Sequence, residues 1–215
     1  MKLLETNASR YDAGMALLSL GSMERIYRSV ADLVPEGSRA IEVGCGTGGA
    51  TRHLLQRCEH VTAIDRSPMM LAVAHRKLGS ALDEGRLELR QLSLTALDRE
   101  FDAESFDCVV ACLLLSELSV TEEAFALDQF CRLARPGGAV VVADEVAPVD
   151  PLHRLAYQAR RAPLAALTYL FTQTSTHHTV DLVGKFEHRS LSVGKVCYLN
   201  GGTVQLLQAR RPACS

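Results

Sequence analysis

One segment, Glu42-Val43-Gly44-Cys45-Gly46-Thr47-Gly48-Gly49, restricts the fold of this chain more than any other. It stops a short apolar strand over residues 38–43 and precedes a helical run over residues 50–57. Closely spaced glycines let the backbone turn tightly and let a ligand approach main-chain atoms without meeting a Cβ. A strand that passes through such a loop into a helix opens a βαβ unit, which predicts a parallel sheet and argues against a helical bundle.

The rest of the chain continues that alternation. Residues 60–65 read as a second strand, followed by a helix from Pro68 to about Leu78, with Ser67 as its N-cap and Gly79 as its stop. Residues 86–93 alternate in period two, and residues 106–113 are nearly all apolar, as a central strand covered on both faces should be. A helix over 121–134 is expected, capped by Thr121 and ended by Pro136-Gly137-Gly138, and then a buried strand over 139–143. Residues 149–188 read as mostly helical and Arg-bearing. Two alternating runs, 191–199 and 203–209, are joined by Asn200-Gly201-Gly202, a hairpin signal. The fold class is therefore α/β, a doubly wound, Rossmann-like, mostly parallel sheet with a C-terminal antiparallel hairpin.

Before the first strand, Leu17, Leu18, Leu20, Met23, Ile26, Tyr27, Val30 and Leu33 recur at helical spacing up to the turn Pro35-Glu36-Gly37. A chain of 215 residues, 47% hydrophobic and 22% charged, buries roughly 70% of its unfolded surface and sustains one core. The expected organisation is a single domain, 1–215. Within it, 1–37 form an N-terminal helical lid, 38–146 the cofactor-binding core, 147–188 a helical substrate cover and 189–215 the closing hairpin. No apolar run approaches a membrane span, and the start has no hydrophobic signal region. Seven cysteines without a CxxC pair argue for reduced thiols, and the compartment expected is the cytoplasm. Residues 1–146 hold 15 Lys and Arg against 22 Asp and Glu, whereas 147–215 hold 8 against 3. The basic C-terminal part either faces something anionic or lies across the acidic body.

The loop spacing fits two ligands. Gly44, Gly46 and Gly49 satisfy the dinucleotide pattern, while Glu42, Gly44, Gly46 and Gly48 satisfy the acid-led pattern of S-adenosylmethionine (SAM) sites. A pyrophosphate at the helix N-terminus would be repelled by Glu42, whereas the ammonium and sulfonium of SAM suit it. Asp65, closing the second strand, can accept from ribose hydroxyls in either case, or cap the next helix. A nicotinamide-dependent oxidoreductase is the rival enzyme reading, but no YxxxK-like pair occurs.

Four ordered motifs resemble those of class I SAM-dependent methyltransferases: Ala40-Ile-Glu-Val-Gly-Cys-Gly-Thr-Gly48, Ala63-Ile-Asp-Arg-Ser-Pro-Met-Met-Leu71, Ser105-Phe-Asp-Cys-Val-Val110 and Leu133-Ala-Arg-Pro-Gly-Gly138. The resemblance implies a seven-stranded sheet with SAM across the C-terminal ends of strands one to four. It places Glu42 and Gly44 near the methionine moiety, Asp65 with Arg66 at the ribose, Met70 on the adenine, and Leu113 just past strand four. The family's acid after strand three is absent. Adenine recognition then falls to the backbone of Leu92 and the hydroxyl of Ser93. Further motifs, Met1-Lys-Leu-Leu-Glu-Thr, Ser9-Arg-Tyr-Asp-Ala-Gly14, Leu114-Leu-Ser-Glu-Leu-Ser119, Ala143-Asp-Glu-Val146 and residues 163–174, resemble the corrinoid-protein-associated methyltransferases. That likeness implies a corrinoid-binding protein as partner, beside the alternative of a small-molecule acceptor or a non-catalytic SAM-binding module.

Methyl transfer from a sulfonium is an in-line displacement, so positioning supplies much of the catalysis, and an oxygen or nitrogen acceptor also needs a base. The base candidates are Ser116-Glu117 and Asp144-Glu145, with Glu117 first because it follows the strand bordering the crevice. Tyr11 is the candidate lid over the SAM carboxylate. Adjacent His177 and His178, with His153 and His188, diverge too much for a metal site, so no metal is expected. Cys108 is read as core packing and Cys112 as facing the cofactor. Nucleic acid is not an expected partner, since no Asn/Asp-Pro-Pro-Tyr-like run follows strand four and the net charge is −2.

Overall fold

The computed structural model describes residues 22–147 and 179–213. One seven-stranded sheet has the order β3-β2-β1-β4-β5-β7-β6. Its strands are β1 (Arg39–Val43), β2 (His60–Asp65), β3 (Leu87–Gln91), β4 (Phe106–Cys112), β5 (Ala134–Glu145), β6 (Ser192–Leu199) and β7 (Val204–Arg210). The first five run parallel. β7 lies between β5 and β6 and is antiparallel to both, so the closing hairpin forms the expected antiparallel edge. The order reverses between β1 and β4. A crevice opens at such a switch point, beyond the C-terminal ends of the strands.

Helices cover both faces: α1 (Ser22–Asp32), α2 (Thr51–Leu54), α3 (Pro68–Asp83), α4 (Leu97–Glu100), α5 (Val120–Leu133) and α6 (Leu182–Glu187). On one face, Ile26, Val30, Leu54, Leu71 and Leu78 pack on Ala40, Val61, Cys108 and Val141. On the other, Leu97, Leu127, Phe130 and Phe186 pack on Ile41, Ile64, Val109 and Val140. Alternate residues of the central strands thus feed opposite cores, which is why β4 is apolar but for Asp107 near its start. The ion pair between buried Glu123 of α5 and Lys185 of α6, 2.6 Å, ties residues beyond 178 back onto the second core.

Several boundaries differ from the sequence expectations. α2 covers only Thr51–Leu54 of the expected 50–57. α3 does not stop at Gly79: Leu78 leaves helical geometry (φ −116°, ψ 17°), the helix resumes, and Gly85 at φ +69° follows its end. Gly79 tolerates the kink, while the Leu78 side chain stays buried under the glycine loop. The cap of α5 is Ser119, not Thr121. Ser119 is extended (φ −64°, ψ 162°) and exchanges hydrogen bonds with Glu122 in a capping box, which Thr121, inside the first turn, cannot do. β5 is longer than 139–143 because Ala134 pairs with Phe106 at one end and Glu145 with Val204 at the other. Tyr11, His153, His177 and His178, and most of the expected lid and substrate cover, lie outside the described residues.

Candidate active site

The glycine loop leaves β1 and is shaped by positive φ at Gly44 (+77°), Gly46 (+53°) and Gly48 (+80°). Three elements roof it. A Cβ on Gly44 would stand 2.8 Å from Leu114, one on Gly48 2.7 Å from Leu78, and one on Gly49 2.6 Å from the Tyr27 ring. Those glycines are needed for packing as well as for turning. Gly46 differs, because a Cβ there would meet nothing within 4 Å. It is the glycine of the loop that faces open space, as a ligand-facing position must.

Asp65, at the end of β2, fastens the same loop. One carboxylate oxygen accepts from the Gly46 N–H and the other from the Ser67 N–H, each at 2.8 Å. Helix capping belongs to Ser67, whose Oγ accepts from the Met70 N–H. Each Asp65 oxygen retains a further lone pair, so the residue can still take a hydroxyl while holding the loop. The Leu92 N–H donates to the Asp65 carbonyl, 3.0 Å, so that donor is already committed. The Ser93 hydroxyl caps the turn Leu94–Ala96 by accepting from the Thr95 N–H.

Glu42 lies beneath the loop, 1% exposed, and accepts a 2.6 Å bond from the Thr51 hydroxyl. Burial pushes its carboxyl up to about 8. The Thr51 bond opposes this, and the Asp65 charge adds to it. Thr51 was not foreseen as part of the site; its place nine residues after Glu42, in the first turn of the following helix, is the signal that could have found it. Cys112 at the end of β4 is half-buried, and its thiol is raised well above the ordinary value by burial and by Glu42 and Asp144. Cys108 is fully buried in the first core, as expected.

A raised folded-state pKa means that Glu42 favours folding in its protonated form. Its contribution is present below the ordinary carboxyl range and is lost as pH rises from about 4.5 to about 8. In SAM-free protein, Glu42→Gln should therefore gain stability over wild type across this window, by up to about 1.4 kcal/mol per pH unit. Parallel pH-dependent melts would contradict the assignment if the two proteins kept a constant difference.

After β4, Leu113 adopts φ +56° with its N–H bonded to the Ala143 carbonyl, 2.7 Å. Leu114 covers Gly44, and the turn Leu115–Glu117 follows. Glu117 is open to solvent on one side, while protein atoms crowd the other. That crowding pushes its carboxyl up to about 7. Arg66 opposes the shift, and Asp144, Asp65 and Glu145 add to it. Asp144, in contrast, is fully buried and spent on backbone N–H groups, whereas Glu117 is both reachable and raised toward neutrality. The sequence-chosen Glu42, Gly44, Gly46, Gly48, Asp65, Arg66, Leu113 and Glu117 converge on the C-terminal ends of β1, β2 and β4. Met70, Leu92 and Ser93 line the β2–β3 side. Among the described residues, no cluster of His, Cys, Asp and Glu has metal-site geometry, and no helix is long and apolar enough to cross a membrane.

This sheet order, with an acid-led glycine loop at its reversal, fits the seven-stranded arrangement expected from the class I methyltransferase motifs. The family described as a methyltransferase domain matches residues 40–138, which include the whole glycine loop, Asp65 and Glu117. A demethylmenaquinone methyltransferase of Clavibacter sepedonicus is 33% identical over 152 residues, 70% of this chain and 59% of that protein. The chain thus spans less than two thirds of that relative. Among solved structures, a methyltransferase in complex with the Haloferax volcanii Trm112 activator shares the fold at TM-score 0.72 and 16% identity, over 99% of this chain and 97% of that one. The N-methyltransferase NodS of Bradyrhizobium japonicum, in complex with S-adenosyl-L-homocysteine, does so at TM-score 0.63 and 18% identity, over 86% and 85%.

Proposed function

We propose that this protein transfers the methyl group of SAM to an apolar acceptor carrying an ionisable O–H, N–H or activated C–H, with Glu117 as the general base. The observation that carries the reading is the pairing of an open, Asp65-fastened glycine loop with a solvent-reachable carboxyl near neutrality on the adjoining turn. SAM supplies an electrophilic methyl group. Asp65 holds the ribose, Gly44, Gly46 and Gly48 admit the cofactor to the backbone, and Glu42, Arg66, Met70, Ser93 and Leu113 surround it, with Tyr11 as the lid. Glu117 removes the acceptor's proton as the carbon–nucleophile bond forms and the carbon–sulfur bond breaks. An apolar acceptor is supported by exposed apolar side chains around the same rim. Met69 opens α3, Val120 opens α5, Val180 follows the bridge between Thr179 and Val146, and Tyr198 lies one strand beyond Gln205, which itself pairs with Asp144. The relative named as a demethylmenaquinone methyltransferase points to a quinone-like member of that class.

The corrinoid-linked reading is carried by the motifs at 1–6, 9–14, 114–119, 143–146 and 163–174, of which the first two and the last lie outside the described residues. Incubation with methyl-labelled SAM and a native extract, with and without added corrinoid protein, separates the readings. Label in the solvent-extractable, apolar fraction is the expected result. Label that appears only with corrinoid protein supports the second reading, and SAM binding without any transfer leaves a non-catalytic SAM module.

Asp65→Ala tests the cofactor assignment. It removes the acceptor for two backbone N–H groups as well as for the ribose, and charge-assisted bonds contribute about 1.5–3 kcal/mol each. Calorimetry should show SAM and its demethylated product weakened equally, by roughly tenfold or more. Weakening of SAM alone would contradict ribose contact.

A further inference from the structure

We propose that Asp144 is the positioning residue for Glu117: its buried carboxylate clamps the turn that carries Glu117 and holds a negative charge at that turn's root. This rests on the reading of Glu117 as the base. The clamp is visible atom by atom. One Asp144 oxygen accepts from the Leu115 N–H at 2.5 Å; the other accepts from the Ser116 N–H at 3.2 Å and from its neighbour Glu145's N–H at 2.8 Å. The Ser116 hydroxyl adds a further bond. Leu115 and Ser116 are themselves buried, so these N–H groups have no water to turn to if the carboxylate is lost.

Local bonds hold the turn only in part: the Glu117 N–H donates to the Leu114 carbonyl and the Leu118 N–H to the Leu115 carbonyl, each at 3.1 Å. The turn spans only Leu115–Glu117, no side chain caps it, and it follows Leu113 at φ +56°, a conformation that costs a non-glycine residue energy unless its surroundings enforce it. The neighbouring strand β5, paired with β4 up to Cys112 and Ala143, supplies that enforcement: the Ala143 carbonyl accepts from the Leu113 N–H, and Asp144 holds the amides of Leu115 and Ser116. Burial raises the Asp144 carboxyl to about 6 and the four hydrogen bonds restrain it, so it is largely ionised near neutrality, where Glu117 titrates. The charged groups facing Glu117 are Arg66 from the β2 exit, Asp65 from β2, and Asp144 and Glu145 from β5. Of the three acids, Asp144 is the one bonded directly to the turn that bears it.

The test reads the Glu117 side-chain carboxyl by ¹³C NMR in full-length protein, with the signal assigned by its loss in Glu117→Gln. In Asp144→Asn the Glu117 midpoint should fall by about one pH unit, because a nearby negative charge has gone. A purely structural Asp144 would lower the melting temperature and leave the midpoint where it was, which overturns the proposal. Where Asp144→Asn does not fold, wild-type protein gives the answer. The Leu115 and Ser116 amide signals should titrate with Asp144, and the Glu117 carboxyl signal should show a second inflection at that same pH; its absence overturns the proposal. Failure of Glu117 as the base is a separate result, read from acceptor turnover in Glu117→Gln rather than from any midpoint.

Discussion

Gly46→Val should lose SAM binding by roughly 100-fold or more while keeping the fold. The free loop has room for a side chain at this position, since no atom lies within 4 Å of a Cβ built there. That empty volume is the expected path of the cofactor along the backbone, so the added groups compete with ligand and not with the protein core. The second cost is conformational. Gly46 sits at φ +53°, which disfavours any L-residue by about 1–2 kcal/mol, and a β-branched one by more. A domain of this size then loses several degrees of melting temperature, roughly 2–4 °C per kcal/mol. Gly48→Ala is the contrasting case. Its Cβ would stand 2.7 Å from Leu78 at φ +80°, so it should cost the fold more than it costs the ligand site directly. Titration calorimetry beside thermal melts separates the two patterns. Full affinity in folded Gly46→Val would move the cofactor away from this loop.

For Glu117→Gln the expected result is a fall in acceptor turnover of roughly 10²–10⁴ with SAM affinity nearly unchanged. The sign of the pH effect follows from its chemistry. A base must be deprotonated, so wild-type turnover should rise with pH through about 7 and level off above it. The variant should lack that limb. Normal turnover in Glu117→Gln would leave positioning of the acceptor as the main catalytic device, as it is for nucleophiles that carry no proton.

The sequence made the sheet and the glycine loop legible, because strand period, apolar runs and glycine spacing are local signals. The side chains that complete the site were harder to read, since their roles depend on which strand lies next to which. Asp144 and Glu145 look alike in sequence. The register of β5 against β4 sends Asp144 inward to the Leu115 and Ser116 amides, while Glu145 stays partly open. Thr51 meets Glu42 because α2 folds back over β1. Ser119 displaces Thr121 as the cap because the turn pinned by Asp144 delivers the chain to α5 in an extended conformation at Ser119. Gly79 failed as a stop because Leu78, packed under Gly48, absorbs the irregularity within α3.

Leu114 rests on the cofactor loop, and Glu117 stands three residues further along the same short segment. Filling either half of the crevice therefore acts on a part that belongs to both. Cofactor that stiffens the glycine loop also stiffens the floor under Leu114, and the acceptor then meets Glu117 with less ordering left to do. Linkage makes the effect mutual: the factor by which SAM tightens acceptor is the factor by which acceptor tightens SAM. The shared segment therefore predicts a single interaction factor, equal whichever ligand is titrated first. Replacing Leu114 by alanine should bring that factor towards one without touching a group that contacts the transferred methyl.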